Sequence, residues 1–278
     1  MILGVGEILV DQIEGETKAG GAPFNVMVNA HHLGADTIFV GSVGNDQEGS
    51  FLINKVKEYG LDPSFIKIDK ERKTTKAIVT LEKGERSFRF ERDNTADAYL
   101  EEIPDEIIDK ADIIHIGSLS LCFEEGRNYM ARLIKRAHEA HKEVSFDVNY
   151  REDIYESKEE AKQIAKEFIS MSDIIKLSED EVELLGEEFI DSLKGKMVFI
   201  TLGSRGSECH YINKVYKADS IYVNPIDTTG AGDAFMGAML YMLDTHKDMD
   251  LEHAMEIANQ YAAKSTLHVG AIDVLPSI

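Results

Sequence analysis

The residues best placed to do chemistry lie in "IDTTGAGDAFMGAMLYML", Ile226 to Leu243, where Gly230, Ala231 and Gly232 stand directly before Asp233 at the mouth of an apolar helical pattern. A helix opening around Ala231 leaves the amide hydrogens of its first turn unpaired, and together with the helix dipole they make an anion site. Small side chains let an anion come close to those amides. Asp233 would repel a phosphate there unless its task is to take a proton. An alcohol held between Asp233 and a bound phosphoryl group would give up its proton to the carboxylate as its oxygen attacks phosphorus. A Gly-Ala-Gly turn followed by an acid is also ordinary helix-entry chemistry, so the stretch alone decides nothing.

The elements that must carry this helix start are legible in the hydrophobic periodicity. Buried-strand patterns occur at "ILGVGEILV", "TIFVGSVG", "DIIHIG", "EVSFDVN", "DIIKLS" and "MVFITLG". Helical patterns lie between them: Asn25 to Leu33 closed by Gly34, Gln47 to Tyr59 between Asp46 and Gly60, Glu124 to His141, and Lys158 to Met171 behind Ser157. This alternation predicts an α/β fold, a mostly parallel sheet with helices on both faces. From Phe65 to Glu91 the rhythm breaks into "FIKID", "KAIVTL" and "SFRFE", the last two flanking a turn at "EKGE". That pattern predicts a small antiparallel sheet projecting from the main one, as a lid or a dimer surface. Ligands in doubly wound sheets bind beyond the carboxyl ends of the strands. Those ends read "GSVGND", "GSLSL", "DVNYR", "KLSEDE" and "TLGSRGS".

Composition narrows the function classes. The 278 residues carry 51 acids against 30 bases, a formal charge of -21, which repels phosphate backbones and anionic lipid and argues against nucleic acid or membrane partners. An anionic substrate would need local islands of positive charge. No run approaches the roughly 18 apolar residues of a membrane span, and "MILGVGEILVD" reads as a first strand rather than an export signal, so the cytoplasm is expected. Cys122 and Cys209 stand apart and read as buried small hydrophobes in a reducing compartment. His138 and His141 share a helical face without a carboxylate or cysteine to complete a metal site, and read as solvated. There is no GxxxxGK[ST] loop, no protein-kinase signature set, and "GVGEIL" fails the dinucleotide fingerprint at its last position.

A second constellation gives the helix start its context. "AGGAPFNVMVNAHHLGADTIFVGSVGNDQEGS" and "DTTGAGDAFMGAML" resemble the two signature blocks of the ribokinase family, the PfkB carbohydrate kinases, in the right order. The resemblance runs on through "TTKAIVTLEKGERSFRFERDNTAD", "HIGSLSL", "DVNYR", "KLSEDE" and "TLGSRGS", and within the family looks most like fructokinases. It implies a single Rossmann-like α/β kinase domain over 1–278 with a small β-sheet lid at 65–98, together with 11–19. It also implies transfer of the ATP γ-phosphoryl group to a sugar hydroxyl, with D-fructose as first choice. Ribokinase and 2-keto-3-deoxygluconate kinase stand as alternatives, and a non-catalytic sugar or nucleotide sensor stands behind them.

Carried over residue by residue, Asp233 matches the catalytic base and the backbone of Gly230, Ala231 and Gly232 the anion hole. Asp11, Gly20, Gly21 and Asn25 match positions that bind sugar hydroxyls, and Arg92 and Arg151 match arginines at the sugar and phosphoryl end. Thr201, Gly203 and Gly206 match the nucleotide loop, Asn259 a residue beside the adenine, and Glu181 the glutamate that organises the magnesium waters. Lys176 either touches nucleotide phosphate or pairs with Glu179 or Asp180. ATP and Mg²⁺ are the implied cofactors, K⁺ near Asp227 a further one, and a homodimer through the lid is the implied assembly. The chain departs from the family where NxxE becomes Ser178 to Glu181, where the arm between Asp11 and Gly20 is short, and at Glu91 beside Arg92.

Overall fold

The computed structural model describes residues 1–13, 15–82, 85–151 and 154–277, and of 79–82 and 85–88 the backbone alone. The first apolar run does not make one strand. β1 (Ile2–Val5) ends at Gly6, and β2 (Leu9–Ile13) leaves for a second sheet, where it pairs antiparallel with β3 (Glu16–Gly20). α1 (Ala22–His32) opens ahead of Asn25 because Pro23 fits its first turn, where a missing N–H costs nothing. β4 (Thr37–Gly44) returns beside β1, and α2 (Gln47–Glu58) is capped by Asp46, whose side chain accepts the Gly49 N–H.

β5 (Ile66–Asp69), read from the sequence as part of the small sheet, instead lies parallel to β4 at the edge of the large one. β6 (Lys76–Glu82) and β7 (Glu85–Glu91) form the expected hairpin, with Lys83 and Gly84 of its turn outside the described residues. The small sheet has the order β3-β2-β6-β7, and its central pair β2 and β6 is parallel. Sequence periodicity predicts the β6–β7 hairpin but neither the β2–β3 hairpin nor the parallel seam between the two, which forms because the chain crosses the large sheet before returning as β6.

The remaining elements alternate as expected. α3 (Asp105–Lys110) leads into β8 (Ile113–Ile116), α4 (Glu124–Glu139), β9 (Glu143–Asp147) and α5 (Lys158–Met171). β10 (Ile174–Ser178) is followed by two short helices, α6 (Glu179–Leu185) and α7 (Glu187–Ser192), and then β11 (Met197–Thr201). An antiparallel hairpin of β12 (Ser207–Tyr211) and β13 (Lys214–Ala218) extends the far edge, before α8 (Ala231–Thr245) and α9 (Leu251–Ser265). The large sheet runs β13-β12-β11-β10-β9-β8-β1-β4-β5, and its central strands are buried on both faces.

Two apolar cores lie on opposite faces of that sheet. One gathers Phe24, Met27, Phe39, Phe235, Leu240 and Tyr261 from α1, β4, α8 and α9, and the other Ile116, Met130, Leu133, Phe146 and Phe168 from β8, α4, β9 and α5. α8 is apolar nearly all round because α1, α9 and the sheet surround it, and its methionines 236, 239 and 242 pack there as core. Its first turn is thereby fixed at the carboxyl ends of the strands. Among the described residues, no helix is long and apolar enough to cross a membrane.

Candidate active site

The start of α8 is a tight turn. Gly230 caps the helix at φ 75°, a left-handed conformation open to glycine, so the chain can turn into the helix; the Ala231 amide donates to the Thr228 carbonyl at 3.2 Å, and the Gly232 amide has no partner among the described residues. Gly232 also makes room for a lysine: a Cβ there would lie 2.8 Å from Lys176 Nζ. The helix start therefore offers backbone amides and an ammonium group side by side, both suited to a phosphate.

Asp233 follows in the first turn and is 9% exposed. Its Oδ2 accepts the Asn25 side-chain N–H at 2.8 Å, and Asn25 is itself held from behind. The Asn29 amide donates to the Asn25 carbonyl at 2.8 Å, and the Tyr261 hydroxyl donates to Asn29 Oδ1 at 2.9 Å. A chain of buried hydrogen bonds thus runs from α9 through α1 to the carboxylate. Burial, reinforced by the negative charge of Asp147, pushes the Asp233 carboxyl up to about 6, against the Asn25 hydrogen bond and the charges of Lys176 and Arg151. A carboxylate with that affinity for a proton is matched to a general base working near neutral pH.

Of the two sequence readings of Lys176, the pairing with Glu179 or Asp180 gives way to another acid. Its Nζ donates to both oxygens of Asp147 at 3.0 Å, not to Glu179 or Asp180. The register of β9 and β10 sets Asp147 directly opposite Lys176, and both are buried. Burial alone would lower the lysine, but the carboxylates of Asp147, Glu181 and Asp233 outweigh it and hold the ammonium above its ordinary range. Asp147 was not singled out in the sequence. It stood in "DVNYR" at a strand end, and only strand order, which the sequence does not print, puts it beside Lys176.

Glu181 sits in the same cluster with both oxygens engaged. Its Oε2 accepts the Ser178 N–H at 2.7 Å and its Oε1 the Tyr150 N–H at 2.6 Å, while Ser178 accepts the Glu181 N–H in return. Ser178 to Glu181 is a capping box that opens α6. The serine that departs from the family pattern is therefore a working N-cap, and the glutamate is locked in place. Burial raises the Glu181 carboxyl, as does Asp147, against Lys176 and the two amides. Among the described residues there is no group of three or more metal-ligating side chains. Asp147 and Glu181 suit an ion that keeps most of its waters and arrives on a polyphosphate, rather than one caged by protein.

The residues that the sequence assigns to the sugar lie largely on the small sheet and α1. The Asp11 carboxylate on β2 reaches diagonally over Gly20 on β3, where an added Cβ would lie 2.2 Å from Oδ2, and Gly21 caps α1. Arg92, just past β7, is not a solvated surface arginine. Its guanidinium pairs with the fully buried Asp97, donates to the Leu119 carbonyl and Cys122 Sγ, and lies 4.5 Å from the centre of the Phe123 ring. Asp97 also accepts from Thr75 at 2.6 Å and Thr95 at 2.7 Å. Cys122 is thus half-buried and polar in its contacts, unlike the buried hydrophobe expected, whereas Cys209 is buried. Arg151 acts on Asp233 through its charge while its Nη1 donates to the Tyr150 carbonyl.

On the other flank, Thr201 ends β11, Gly203 and Gly206 have left-handed backbones beyond it, and the buried Asn259 on α9 donates to the Ala218 carbonyl at 3.0 Å. Asp227 ties the turn before α8 to the chain's last loop, accepting from Thr229 N and Gly270 N, each at 2.9 Å. His138 pairs with Asp173 at 3.0 Å beside a cavity at the amino ends of the strands, the edge opposite Asp233.

Residues 5–278 match the family described as pfkB family carbohydrate kinase. The probable fructokinase-2 of Arabidopsis thaliana is 34% identical over 308 aligned positions, covering 100% of this chain and 93% of that protein. The ATP-bound fructokinase of Xylella fastidiosa superposes with a TM-score of 0.91 at 28% identity, over 99% of this chain and 94% of that one. The fructokinase of Vibrio cholerae, solved with fructose, ADP and a calcium ion, superposes with a TM-score of 0.88 at 29% identity, over 99% and 95% of the two chains. With both signature blocks converging on the first turn of α8 and the match running along nearly the whole length, the chain belongs to the pfkB family of carbohydrate kinases and is an enzyme of the sugar-kinase class.

Proposed function

We propose that this protein transfers the γ-phosphoryl group of ATP to a hydroxyl of D-fructose, giving fructose 6-phosphate and ADP. The observation that carries the reading is Asp233: a buried carboxylate in the first turn of α8, held by Asn25 and beside an ammonium-lined set of amides. In the reaction the hydroxyl proton passes to Asp233, the acceptor oxygen bonds to the γ-phosphorus, and the bond from that phosphorus to the bridging oxygen of ADP breaks. The amides of Gly230, Ala231 and Gly232, with Lys176, stabilise the charge on the moving group. Asp11, Gly20, Gly21, Asn25, Arg92 and Arg151 hold the sugar. Thr201, Gly203, Gly206 and Asn259 flank the nucleotide. Mg²⁺ bound to the triphosphate neutralises its charge; Asp147 and Glu181 are the carboxylates that would hold its waters. A K⁺ ion near Asp227 would brace the turn before α8.

The relatives' names support fructose as the acceptor, and the small sheet of β3, β2, β6 and β7 is the lid that would exclude water from it. Its edge strands β3 and β7 are where a second copy would pair. A panel of fructose, ribose and 2-keto-3-deoxygluconate with MgATP, followed by ADP release and mass of the product, tests the reading. Fructose is expected to give the highest kcat/KM. Turnover of another sugar in its place retires the substrate, and binding of ATP and sugar with no phosphorylated product retires the transfer.

A further inference from the structure

Three buried polar atoms around the acceptor cleft have no hydrogen-bond partner among the described residues: Glu7 Oε2, Asn25 Oδ1 and Arg92 Nε. Two belong to residues already placed in the site. Glu7 does not, and it is the hardest of the three to explain structurally. It is 2% exposed, lies between the end of β1 and β2, and although its own backbone N–H hydrogen-bonds the carboxyl, Oε2 is buried without a partner, which is costly. The fold nonetheless makes room for it. A Cβ on Gly117 would meet Glu7 Oε2 at 2.5 Å and Pro23 Cγ at 2.6 Å, so a glycine is needed for the carboxyl to lie against the first turn of α1. Burial pushes the group up to about 8 against a hydrogen bond from its own backbone N–H, helped by the charges of Asp97 and Asp233 and opposed by Arg92. At neutral pH it is therefore a neutral acid, with an O–H to donate and an oxygen to accept.

A neutral acid, an amide oxygen and a guanidinium N–H left over in one region offer both donors and acceptors. A sugar hydroxyl donates and accepts at once and satisfies such a set, whereas an anion would not. We propose that Glu7 is an acceptor-binding residue, presenting its free Oε2 to a hydroxyl of the sugar between Pro23 and Gly117. This rests on the sugar-kinase reading above. It adds a contact from the loop between the two sheets, so that the sugar is gripped where the lid meets the main sheet.

The test separates the sugar from the nucleotide. Glu7→Gln keeps a neutral donor and acceptor, and is expected to hold the fructose KM within about threefold of the parent. Glu7→Leu, which cannot hydrogen-bond, is expected to raise that KM by about tenfold or more, with the ATP KM unchanged. Thermal unfolding of both variants is followed alongside, to separate loss of a sugar contact from loss of the fold. An unaltered fructose KM in Glu7→Leu, or equal shifts in both substrates, overturns the proposal. Should the leucine variant fail to fold, the pH profile decides. The charged and titratable groups facing Glu7 are Arg92 and Asp97 beyond β7, Asp233 on α8 and Tyr155 ahead of α5. The parent's fructose KM should climb above pH 8 while that of Glu7→Gln stays flat; parallel profiles overturn the assignment. A parent that phosphorylates no sugar overturns the kinase reading and this inference with it, while an active parent with an indifferent Glu7 overturns this inference alone.

Discussion

Asp233 is asked to do two things that pull against each other. As the proposed base it must be ionised, yet its burial favours the protonated form and raises it from 3.8 to about 6. The folded chain then binds that proton more tightly than the unfolded chain, so the group's contribution to stability is fullest below pH 3.8 and is lost as pH rises through about 6. Asp233→Asn, which carries no charge, should lower kcat about 10²–10⁴-fold. It should leave the fructose KM nearly unchanged and unfold at a higher temperature than the parent at pH 8, the gain being on the order of 1–3 kcal/mol. Differential scanning at pH 8 and at pH 4 checks this; the gain should shrink at the lower pH, and a variant less stable than the parent at pH 8 would refute the cost. The parent's kcat/KM should rise with pH through about 6. This much of the site was legible because an acid behind small residues at a helix mouth is a local pattern. Asp147, Asp97 and Glu7 were not, because each acquires its meaning from a strand or loop distant in sequence: Lys176 for the first, Arg92 for the second, Gly117 for the third.

At the scale of elements, the site depends on how α8 is entered and how it is braced. Gly230→Ala puts a side chain at φ 75°, where a Cβ would stand 2.5 Å from that of Ala271. The left-handed backbone alone costs about 1–2 kcal/mol, and relief of the clash must move either the last loop or the helix mouth. A lower unfolding temperature together with a raised ATP KM is expected, and an unchanged ATP KM would detach the turn from phosphate binding. Tyr261→Phe tests the brace, since it leaves Asn29 Oδ1 buried without its donor and should cost about 1–3 kcal/mol in chemical denaturation. The same scale shows what periodicity can and cannot give. α5, Lys158–Met171, has its expected bounds because Ser157 caps it within one turn, accepting the Glu160 N–H. β1 and β2 read as one strand because both are apolar, and only Gly6 and Glu7 between them mark the passage from one sheet to the other. β5 joins the large sheet rather than the small one for a related reason: four residues, buried only at the two ends, do not say which edge they will join.

For the molecule as a whole, the question is how a chain of charge -21 receives a triphosphate. Its cations near the site are not idle: Lys176 is bound to Asp147 and Arg92 to Asp97, so they pin the architecture as much as they attract anions. The excess acid elsewhere repels itself and destabilises the compact state through a long-range field. Such a field is screened by salt, the Debye length falling from ~30 Å at 0.01 M to ~10 Å at 0.1 M. Unfolding temperature should therefore rise over that range, and the part due to screening should be equal in sodium, potassium and choline chloride, because screening does not depend on which cation supplies it. A bound K⁺ in the turn that Asp227 ties to Gly270 would act differently, adding stability in potassium beyond that in choline and saturating with concentration. The two effects separate in one melting series. Parallel curves assign the whole salt response to the field of the acidic surface, and a potassium curve that climbs away from the others shows a cation held where the last loop meets the mouth of α8.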